Sequence, residues 1–187
     1  HFTPVGASRP GAVGPLLPTT LCRIVDPTTG QDLGPGAEGE VWIKGPQVMR
    51  GYLRQPEATA RTLDGDGWLH TGDLGVVDED GWLRIVDRLK ELIKVKGFQV
   101  APAELEALLL KHPLVADAAV VPQPDEEAGE IPRALVVPRG DLDPDALMAW
   151  VAQRVAPHKR IRRVDLVDTI PKSPSGKILR RMLREQA

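Results

Sequence analysis

The residue pattern of this chain changes near Arg88, and this change limits the fold more than any other feature. Before Arg88, short β-branched and aromatic runs are separated by glycine- and proline-rich turns, a pattern typical of antiparallel strands. After Arg88, apolar strand-like runs alternate with helical patterns. We therefore predict an α+β chain of two domains. Residues 1–88 would form a small antiparallel β subdomain, barrel-like or a sandwich, and residues 89–187 a small sheet with packed helices.

The first domain is predicted to contain two strands, a short helix and a hairpin. The strands are bounded by turn residues, and the helix has proline in its first turn, where an N–H has no helical partner in any case. The hairpin turns at residues 78–81, which include two aspartates and a glycine. The predicted bounds are 21–26 and 40–45 for the strands, 56–63 for the helix, and 74–77 with 82–86 for the hairpin.

The second domain is predicted to alternate helices and strands. Three leucines follow Pro102 at helical spacing, and Asp143 is the expected N-cap of a later helix. The predicted helices span 102–111, a segment after Asp143, and 177–186. The predicted strands span 115–121, 134–137 and 161–167, with an acidic loop at 124–130 and a flexible loop at 171–176.

Composition and charge are those of an ordinary globular protein and exclude several function classes. The chain has 42% hydrophobic and 27% charged residues, and its net charge of −2 gives no basic field for nucleic acid or an anionic membrane. No uncharged apolar run approaches the roughly 20 residues that cross a bilayer, and no secretory signal is evident. The single cysteine cannot form an internal disulfide, which favours a reducing compartment, and we expect the cytoplasm.

A cluster of cations follows the pattern change. Within nine residues the sequence places Arg88, Lys90, Lys94 and Lys96. Such side chains bind phosphate oxygens, and Gly97 would allow a ligand to approach the backbone, so the segment is a candidate hinge followed by a ligand-contacting loop. The alternative is a solvated charged turn in which Glu91 pairs with Lys90 or Lys94. The pattern alone slightly favours this alternative.

Two further residues could contact a ligand. Asp73 follows Gly72 at a predicted strand start, where its carboxylate could bind a pair of hydroxyls, although a turn aspartate that bonds its own backbone is the commoner case. Lys177 follows a Pro/Ser/Gly loop that could carry it toward a ligand, and a solvated lysine at a helix start is the alternative. The loop lacks the spacing of a Walker A phosphate loop.

No pattern indicates a metal site or an activated nucleophile. Cys22 has only Arg23 as a basic neighbour, so we interpret it as structural. The four histidines lack metal-ligand spacing, and His158 is expected in a basic surface turn. No Ser-His-Asp arrangement is evident.

Several separated motifs resemble, in order, the C-terminal part of the adenylate-forming enzyme superfamily. This superfamily comprises acyl-CoA synthetases, firefly luciferase and peptide-synthetase adenylation domains. The resemblance covers almost the whole chain, and residues 87–106 are most similar to the 4-coumarate–CoA ligase branch. Fatty-acyl ligases and luciferase-like proteins share that branch, so the substrate stays open. The motifs lie at residues 51–53, 56–59, 67–73, 87–106, 117–121 and 171–177.

The resemblance implies an AMP-forming acid–thiol ligase that works in two steps. A carboxylate, either an aryl or phenylpropenoate acid or a fatty acid, attacks Mg-ATP to give acyl-AMP, and the thiol of CoA then forms the thioester. The second domain would be a mobile lid that rotates between the steps. Asp73 would hold the ribose hydroxyls, Arg88 would be a second nucleotide contact, and Lys90 would occupy the hinge.

The same resemblance implies separate lysines for the two steps. Lys177 would neutralise the charge that develops during adenylation. The loop that contains Lys94 would face the active site during thioester formation, with Lys96 and Gly97 toward CoA. Gln99 would lie near the adenylate.

The family's phosphate loop, its Thr-Glu magnesium motif and its acyl pocket are not found in this sequence. We therefore expect the chain to be the C-terminal part of a longer enzyme, to depend on an N-terminal domain that binds Mg²⁺, and to be inactive alone. Two alternatives stay open. One is an adenylation enzyme that passes its acyl group to a carrier protein or oxidises it, and the other is a stand-alone module without catalysis.

Overall fold

Antiparallel pairing of short strands builds the first sheet, as the turn-rich pattern before Arg88 predicts. Its strand order is β2-β1-β3-β4-β5, with the short helix α1 between β3 and β4. In residues 1–184, which the computed structural model describes, β2 and β5 are edges, so the sheet is open rather than a closed barrel. The bounds are β1 Leu21–Val25, β2 Asp32–Leu33, β3 Gly39–Lys44, α1 Pro56–Thr62, β4 Leu69–Val77 and β5 Leu83–Arg88.

A small apolar cluster stabilises this sheet. Ile24, Val41 and Leu83, from three different strands, form its buried centre, and Cys22 packs against them. Partial burial raises the pKa of the Cys22 thiol above its ordinary value. The thiol therefore stays protonated near neutral pH, which agrees with a structural cysteine.

Strand β4 is longer than predicted, and this changes the setting of Asp73. The strand begins at Leu69, so Asp73 lies inside it rather than at its start. The cause is long-range pairing, because Leu69 and His70 lie opposite Ile43 and Trp42 of β3. The polar run from His70 to Asp73 therefore continues the strand, although its composition is that of a turn.

The second sheet is mixed and carries helices, as the alternating pattern predicts. Its main order is β10-β9-β6-β7, and β8 pairs with β9. Strands β9 and β10 are parallel, and the other pairs are antiparallel. The bounds are β6 Ile93–Val95, β7 Phe98–Val100, α2 Pro102–Leu109, β8 Val115–Asp125, β9 Gly129–Pro138, α3 Pro144–Ala152, β10 Arg163–Leu166 and α4 Arg180–Arg184, with single 3-10 turns at Leu89–Glu91 and Pro157–Lys159.

The core of this sheet follows from the apolar periodicity. Leu105 and Leu109 of α2, together with Leu147 and Val151 of α3, are fully buried in one cluster with the apolar side chains of the strands. The predicted N-cap of α3 is confirmed, because the Asp143 side chain accepts a hydrogen bond from the Asp145 N–H at 3.0 Å. Both helices begin with proline, which suits a first helical turn.

Three expectations for the second domain are wrong. The stretch 124–130 is a tight hairpin rather than a loop, because β8 runs to Asp125 and β9 starts at Gly129. Strand β8 continues through Pro122 and Pro124 because, among residues 1–184, it pairs with β9 alone, and an edge strand tolerates proline. Helix α4 starts at Arg180, so Lys177 precedes it, and residues 185 and 186 of the predicted helix lie outside the described residues. The predicted cation-rich loop contains the short strands β6 and β7.

The chain divides into two compact units, His1–Lys90 and Glu91–Ala187. The mobility of the second unit as a lid stays a prediction. Among residues 1–184, no helix has both the length and the apolar character needed to cross a membrane.

Candidate functional site

Asp73 and Arg88 form a carboxylate–guanidinium pair on adjacent strands of the first sheet. They are register partners of β4 and β5, and Arg88 Nε lies 2.9 Å from Asp73 Oδ1. The Asp73 side chain is 28% exposed and that of Arg88 is 57% exposed. A partly exposed carboxylate can accept hydrogen bonds from ligand hydroxyls, and the adjacent guanidinium can hold anionic oxygens. The structure thus brings together two residues that the sequence separates by fifteen positions.

A row of stacked side chains crosses the same sheet next to this pair. Arg23, Trp42 and His70 are register partners on three adjacent strands. The Trp42 and His70 ring centroids are 3.7 Å apart, and the Arg23 guanidinium lies 5.4 Å from the Trp42 ring. His70 Nε2 lies 3.3 Å from Asp64 Oδ2. Sequence reasoning missed this row, because the partners come from segments far apart in the chain.

Asp64 closes the row and is held in its ionised form. Partial desolvation opposes ionisation, but hydrogen bonds from the Trp68 amide and from His70 outweigh it and lower the pKa of Asp64 below its usual value. An ionised Asp64 fixes the His70 ring from one side while Trp42 stacks on its face. The row therefore anchors β4 three residues before Asp73.

The predicted ligand loop at Lys94 to Gln99 is a tight β-hairpin. Strands β6 and β7 join through Lys96 and Gly97, whose φ angles are 48° and 85°. Positive φ at both central residues is the signature of the two-residue turn whose twist matches a hairpin, and glycine adopts it readily. Lys94 and Gln99 are direct cross-strand partners, so their exposed side chains share one face.

The ion pairs at and beside this hairpin differ from those expected for a solvated charged turn. Glu91 pairs with Arg184 at 2.6 Å rather than with a neighbouring lysine. The Lys96 ammonium pairs with Glu127 in the β8–β9 turn, and the Lys94 N–H donates to Glu130 Oε2 at 2.8 Å. The hairpin is thus held from the side of β9, while Lys94 points its charge to solvent as an exposed residue.

Replacement of Gly97 by alanine should destabilise the protein by about 1 kcal/mol, because a Cβ at positive φ is strained even where space is free. Nothing lies within 4 Å of the Cβ position, so the cost is conformational rather than steric. Urea denaturation followed by circular dichroism measures it. Gly140→Ala is the matched control, since Gly140 also has free space and no positive φ. Equal effects of the two changes would contradict the turn assignment.

A groove beside the hairpin contains an aromatic stack that sequence reasoning missed. Phe98 is 56% exposed, and its ring lies 4.5 Å from that of His158, with 17° between the ring planes. Both residues line a groove of about 760 Å³ together with Lys96 and Arg162. His158, expected in a basic surface turn, is therefore in a 3-10 turn that packs on β7. The signal was weak, because sixty residues separate the two rings.

Lys177 lies at the end of a closed loop. Lys172 and Ile178 form an antiparallel bridge, and the Ser173 N–H donates to the Lys177 carbonyl at 2.8 Å. The Lys177 N–H lies 3.2 Å from Ser173 Oγ, and Gly176 has φ of 80°. The backbone is thus defined by its own hydrogen bonds while the Lys177 side chain stays exposed.

Two ion pairs fasten this loop to the rest of the second unit. Lys172 Nζ lies 2.6 Å from Asp117 Oδ2 on β8. Arg180 Nη2 contacts both carboxylate oxygens of Glu106 on α2, at 2.9 and 2.7 Å, and Glu106 Oε1 also accepts from the Val120 N–H. Glu106 is 7% exposed, so its charge is satisfied inside the fold. Sequence reasoning did not identify either pair.

Lys90 lies in the 3-10 turn Leu89–Glu91 and is the last residue of the first unit. Its position agrees with a junction, and its hinge function stays a prediction. Within residues 1–184, no group of three or more histidine, cysteine, aspartate or glutamate side chains could hold a metal ion.

Two family models match the chain in the order of its two halves. Residues 2–53 match the model of the AMP-binding enzymes, and residues 104–177 match the C-terminal domain of AMP-binding enzymes. The second match ends at Lys177 and includes Glu106 and Asp117, the acidic partners of Arg180 and Lys172.

Named relatives match nearly the entire chain. It is 58% identical over 177 residues to the peroxisomal OPC-8:0-CoA ligase 1 of Arabidopsis thaliana, and the match covers 94% of this chain and 32% of that protein. It is 57% identical over 179 residues to 4-coumarate–CoA ligase 1 of Glycine max, covering 94% of this chain and 61% of the relative. The chain thus spans about a third of the length of the first and about three fifths of the second.

A solved structure is similar over nearly the whole chain. The crystal structure of ATP-bound MatB from Rhodopseudomonas palustris matches with a TM-score of 0.91 and 37% identity, over 98% of this chain and 37% of that one.

Proposed function

The chain belongs to the AMP-binding, adenylate-forming enzymes, and we propose that it is the part of an ATP-dependent carboxylate–CoA ligase that carries a nucleotide contact and the lysines of both reaction steps. One observation carries the proposal. Relatives that are 57–58% identical over 94% of the chain are named as CoA ligases. The relatives extend well beyond the matched region, so the activity proposed is that of the whole protein.

The proposed reaction has two transfers. A carboxylate oxygen attacks the α-phosphorus of ATP, pyrophosphate leaves, and acyl-AMP remains. The sulfur of the CoA thiolate then attacks the acyl carbonyl carbon, AMP leaves with the bonding electron pair, and the thioester is released. Mg²⁺ would accompany ATP through residues outside this chain.

Asp73 and Arg88 are the proposed nucleotide contacts of the first unit. The Asp73 carboxylate would accept hydrogen bonds from the ribose hydroxyls, and Arg88, 2.9 Å away, would add a donor. Their location on neighbouring strands supports this proposal, because the strand pairing fixes both backbones.

The two lysine segments are the proposed machinery of the two steps. Lys177, exposed on a loop with a defined backbone, would stabilise the charge that develops on phosphorus during adenylation. Lys94, Lys96, Gly97 and Gln99 would serve thioester formation, with the tight turn allowing CoA to pass close to the backbone. Rotation of the second unit about Lys90 would exchange the segments.

The substrate proposed is an aryl or phenylpropenoate acid or a fatty acid. One relative is named for 4-coumarate and another for OPC-8:0. The cytoplasmic location stays a prediction, and one of these relatives is named as peroxisomal.

The test is a substrate screen with the full-length protein that contains this chain. We expect ATP- and CoA-dependent thioester formation with a phenylpropenoic or fatty acid, and carboxylate-dependent pyrophosphate exchange without CoA. The isolated chain of 187 residues is the control, and we expect no exchange from it. Exchange without thioester formation for every active acid would overturn the CoA assignment, and exchange by the isolated chain would overturn the dependence on a further domain.

A further inference from the structure

Strand β4 is irregular at the point where it carries Asp73. Glu40 pairs with Leu74 and Trp42 pairs with His70, so three residues of β4 lie opposite the single residue Val41 of β3. Such a bulge leaves backbone groups without ladder partners. Each unpaired N–H needs another acceptor, because a buried donor without one is costly.

Side chains replace the missing ladder bonds. The Gly72 N–H donates to Glu40 Oε1 at 3.0 Å, and the Asp73 N–H donates to the Thr71 hydroxyl oxygen at 3.1 Å. That hydroxyl in turn donates to the Val41 carbonyl at 2.7 Å. The bulge is thus closed by two side chains instead of by strand pairing.

Glu40 is itself fixed by its own strand. Its second oxygen, Oε2, accepts from Trp42 Nε1 at 2.8 Å, and the Trp42 ring stacks on His70. Both carboxylate oxygens therefore have an N–H partner, and the tryptophan sets the direction of the side chain. Gly72 has φ of 69°, a left-handed conformation that glycine adopts readily, so this residue allows the chain to turn inside the bulge.

We propose that Glu40 is a positioning residue for the Asp73 carboxylate, acting through the Gly72 N–H and held in place by Trp42. The inference rests on the proposed function, in which Asp73 binds the ribose of ATP. Loss of the Glu40 contact would leave the Gly72 N–H without this acceptor and let the bulged segment from Thr71 to Asp73 change conformation. The Asp73 carboxylate would then shift relative to Arg88 and to the nucleotide.

Glu40→Gln in the full-length enzyme is the first test. The Glu40 carboxylate accepts from two donors, Trp42 Nε1 and the Gly72 N–H. A glutamine has one oxygen that can accept from one of them, and its NH₂ group, itself a donor, then faces the other. We expect the KM for ATP in pyrophosphate exchange to rise about tenfold with little change in kcat, because a ribose contact far from the reacting atoms acts equally in ground and transition states. The KM for the carboxylic acid should stay unchanged.

The direction of this effect separates positioning from charge. Removal of a negative charge near a polyphosphate would reduce Coulomb repulsion and so lower the KM for ATP. A loss of positioning predicts a rise in the KM instead. Thr71→Val is a second variant that removes the hydroxyl at nearly constant volume, and we expect a similar rise in KM. Thr71→Ser keeps the hydroxyl and should restore the wild-type KM.

Asp80→Asn is the matched control. Asp80 is an exposed carboxylate in the turn between β4 and β5 of the same sheet, where it pairs with Arg9 at 2.9 Å, and neither residue belongs to the bulge or to the row of Arg23, Trp42 and His70. We expect its KM for ATP to be that of the wild type. If Glu40→Gln and Thr71→Val lower the melting temperature but leave the KM for ATP unchanged, Glu40 is only structural and the inference is wrong. A wild-type enzyme without any ATP-dependent exchange would instead overturn the proposed function, and the inference with it.

Discussion

Lys177→Ala in the full-length enzyme should slow acyl-AMP formation by about 10²–10³-fold, the usual effect of removing one preorganised contact to developing charge. The conversion of supplied acyl-AMP to thioester should stay nearly unchanged. The reason is geometric. Lys177 follows a loop with its own hydrogen bonds, and the loop is fastened through Lys172 and Arg180. An alanine removes the charge without disturbing those contacts.

Two separate assays measure this result. Pyrophosphate exchange reports adenylation, and release of AMP from synthetic acyl-AMP plus CoA reports the second step. Lys111→Ala is the control, because Lys111 is an exposed lysine after α2 and belongs to neither lysine segment. If Lys177→Ala preserved exchange and abolished only thioester formation, the assignments of Lys177 and of the hairpin at Lys94 to Gln99 would be reversed.

Periodicity predicted the elements whose stability is local or apolar. Helices α2 and α3 and the centres of β8 and β9 follow from runs of leucine and valine, and the cap at Asp143 follows from the proline after it. Their ends were harder to predict, because a strand continues wherever a partner continues. The pairing of Pro124 with Glu130 extends a hairpin through residues whose composition suggests a loop.

Short polar strands were missed for a related reason. Strands β6 and β7 have three residues each, and Lys96 and Gly97 between them have the composition of a turn. They form strands because Ile93, Val95 and Val100 are buried in the core of the second sheet, a fact that depends on β9 rather than on the local sequence. Tertiary contacts therefore decided the structure of the predicted ligand loop.

The candidate site divides in the same way. Asp73, Arg88 and Lys177 could be selected from the sequence only because their motifs resemble a family. The residue pattern alone favoured a turn aspartate for Asp73 and solvated side chains for Arg88 and Lys177. The residues that hold them, such as Glu40 and Glu106, carry no local signal, because their partners lie 32 and 74 positions away. Supporting contacts of a site are a property of the fold and not of a motif.

Lys90→Pro should separate the two half-reactions of the full-length enzyme. Proline fixes φ near −65°. This value suits a residue in the 3-10 turn Leu89–Glu91, but the residue can then adopt no other φ. Lys90 ends the first unit, so a hinge there would need this dihedral freedom. We expect one half-reaction to fall by roughly 10²-fold, as for a misplaced catalytic group, while the other stays near the wild-type rate.

The comparison of half-reactions distinguishes a blocked hinge from a damaged fold. Lys90→Ala keeps backbone freedom and loses the same charge, so both of its half-reactions should remain close to wild type. A destabilised Lys90→Pro protein would lose both activities in proportion, and its melting temperature would fall. If Lys90→Pro changed neither half-reaction, the backbone at Lys90 would not need to move, and the exchange of the two lysine segments would require a different hinge.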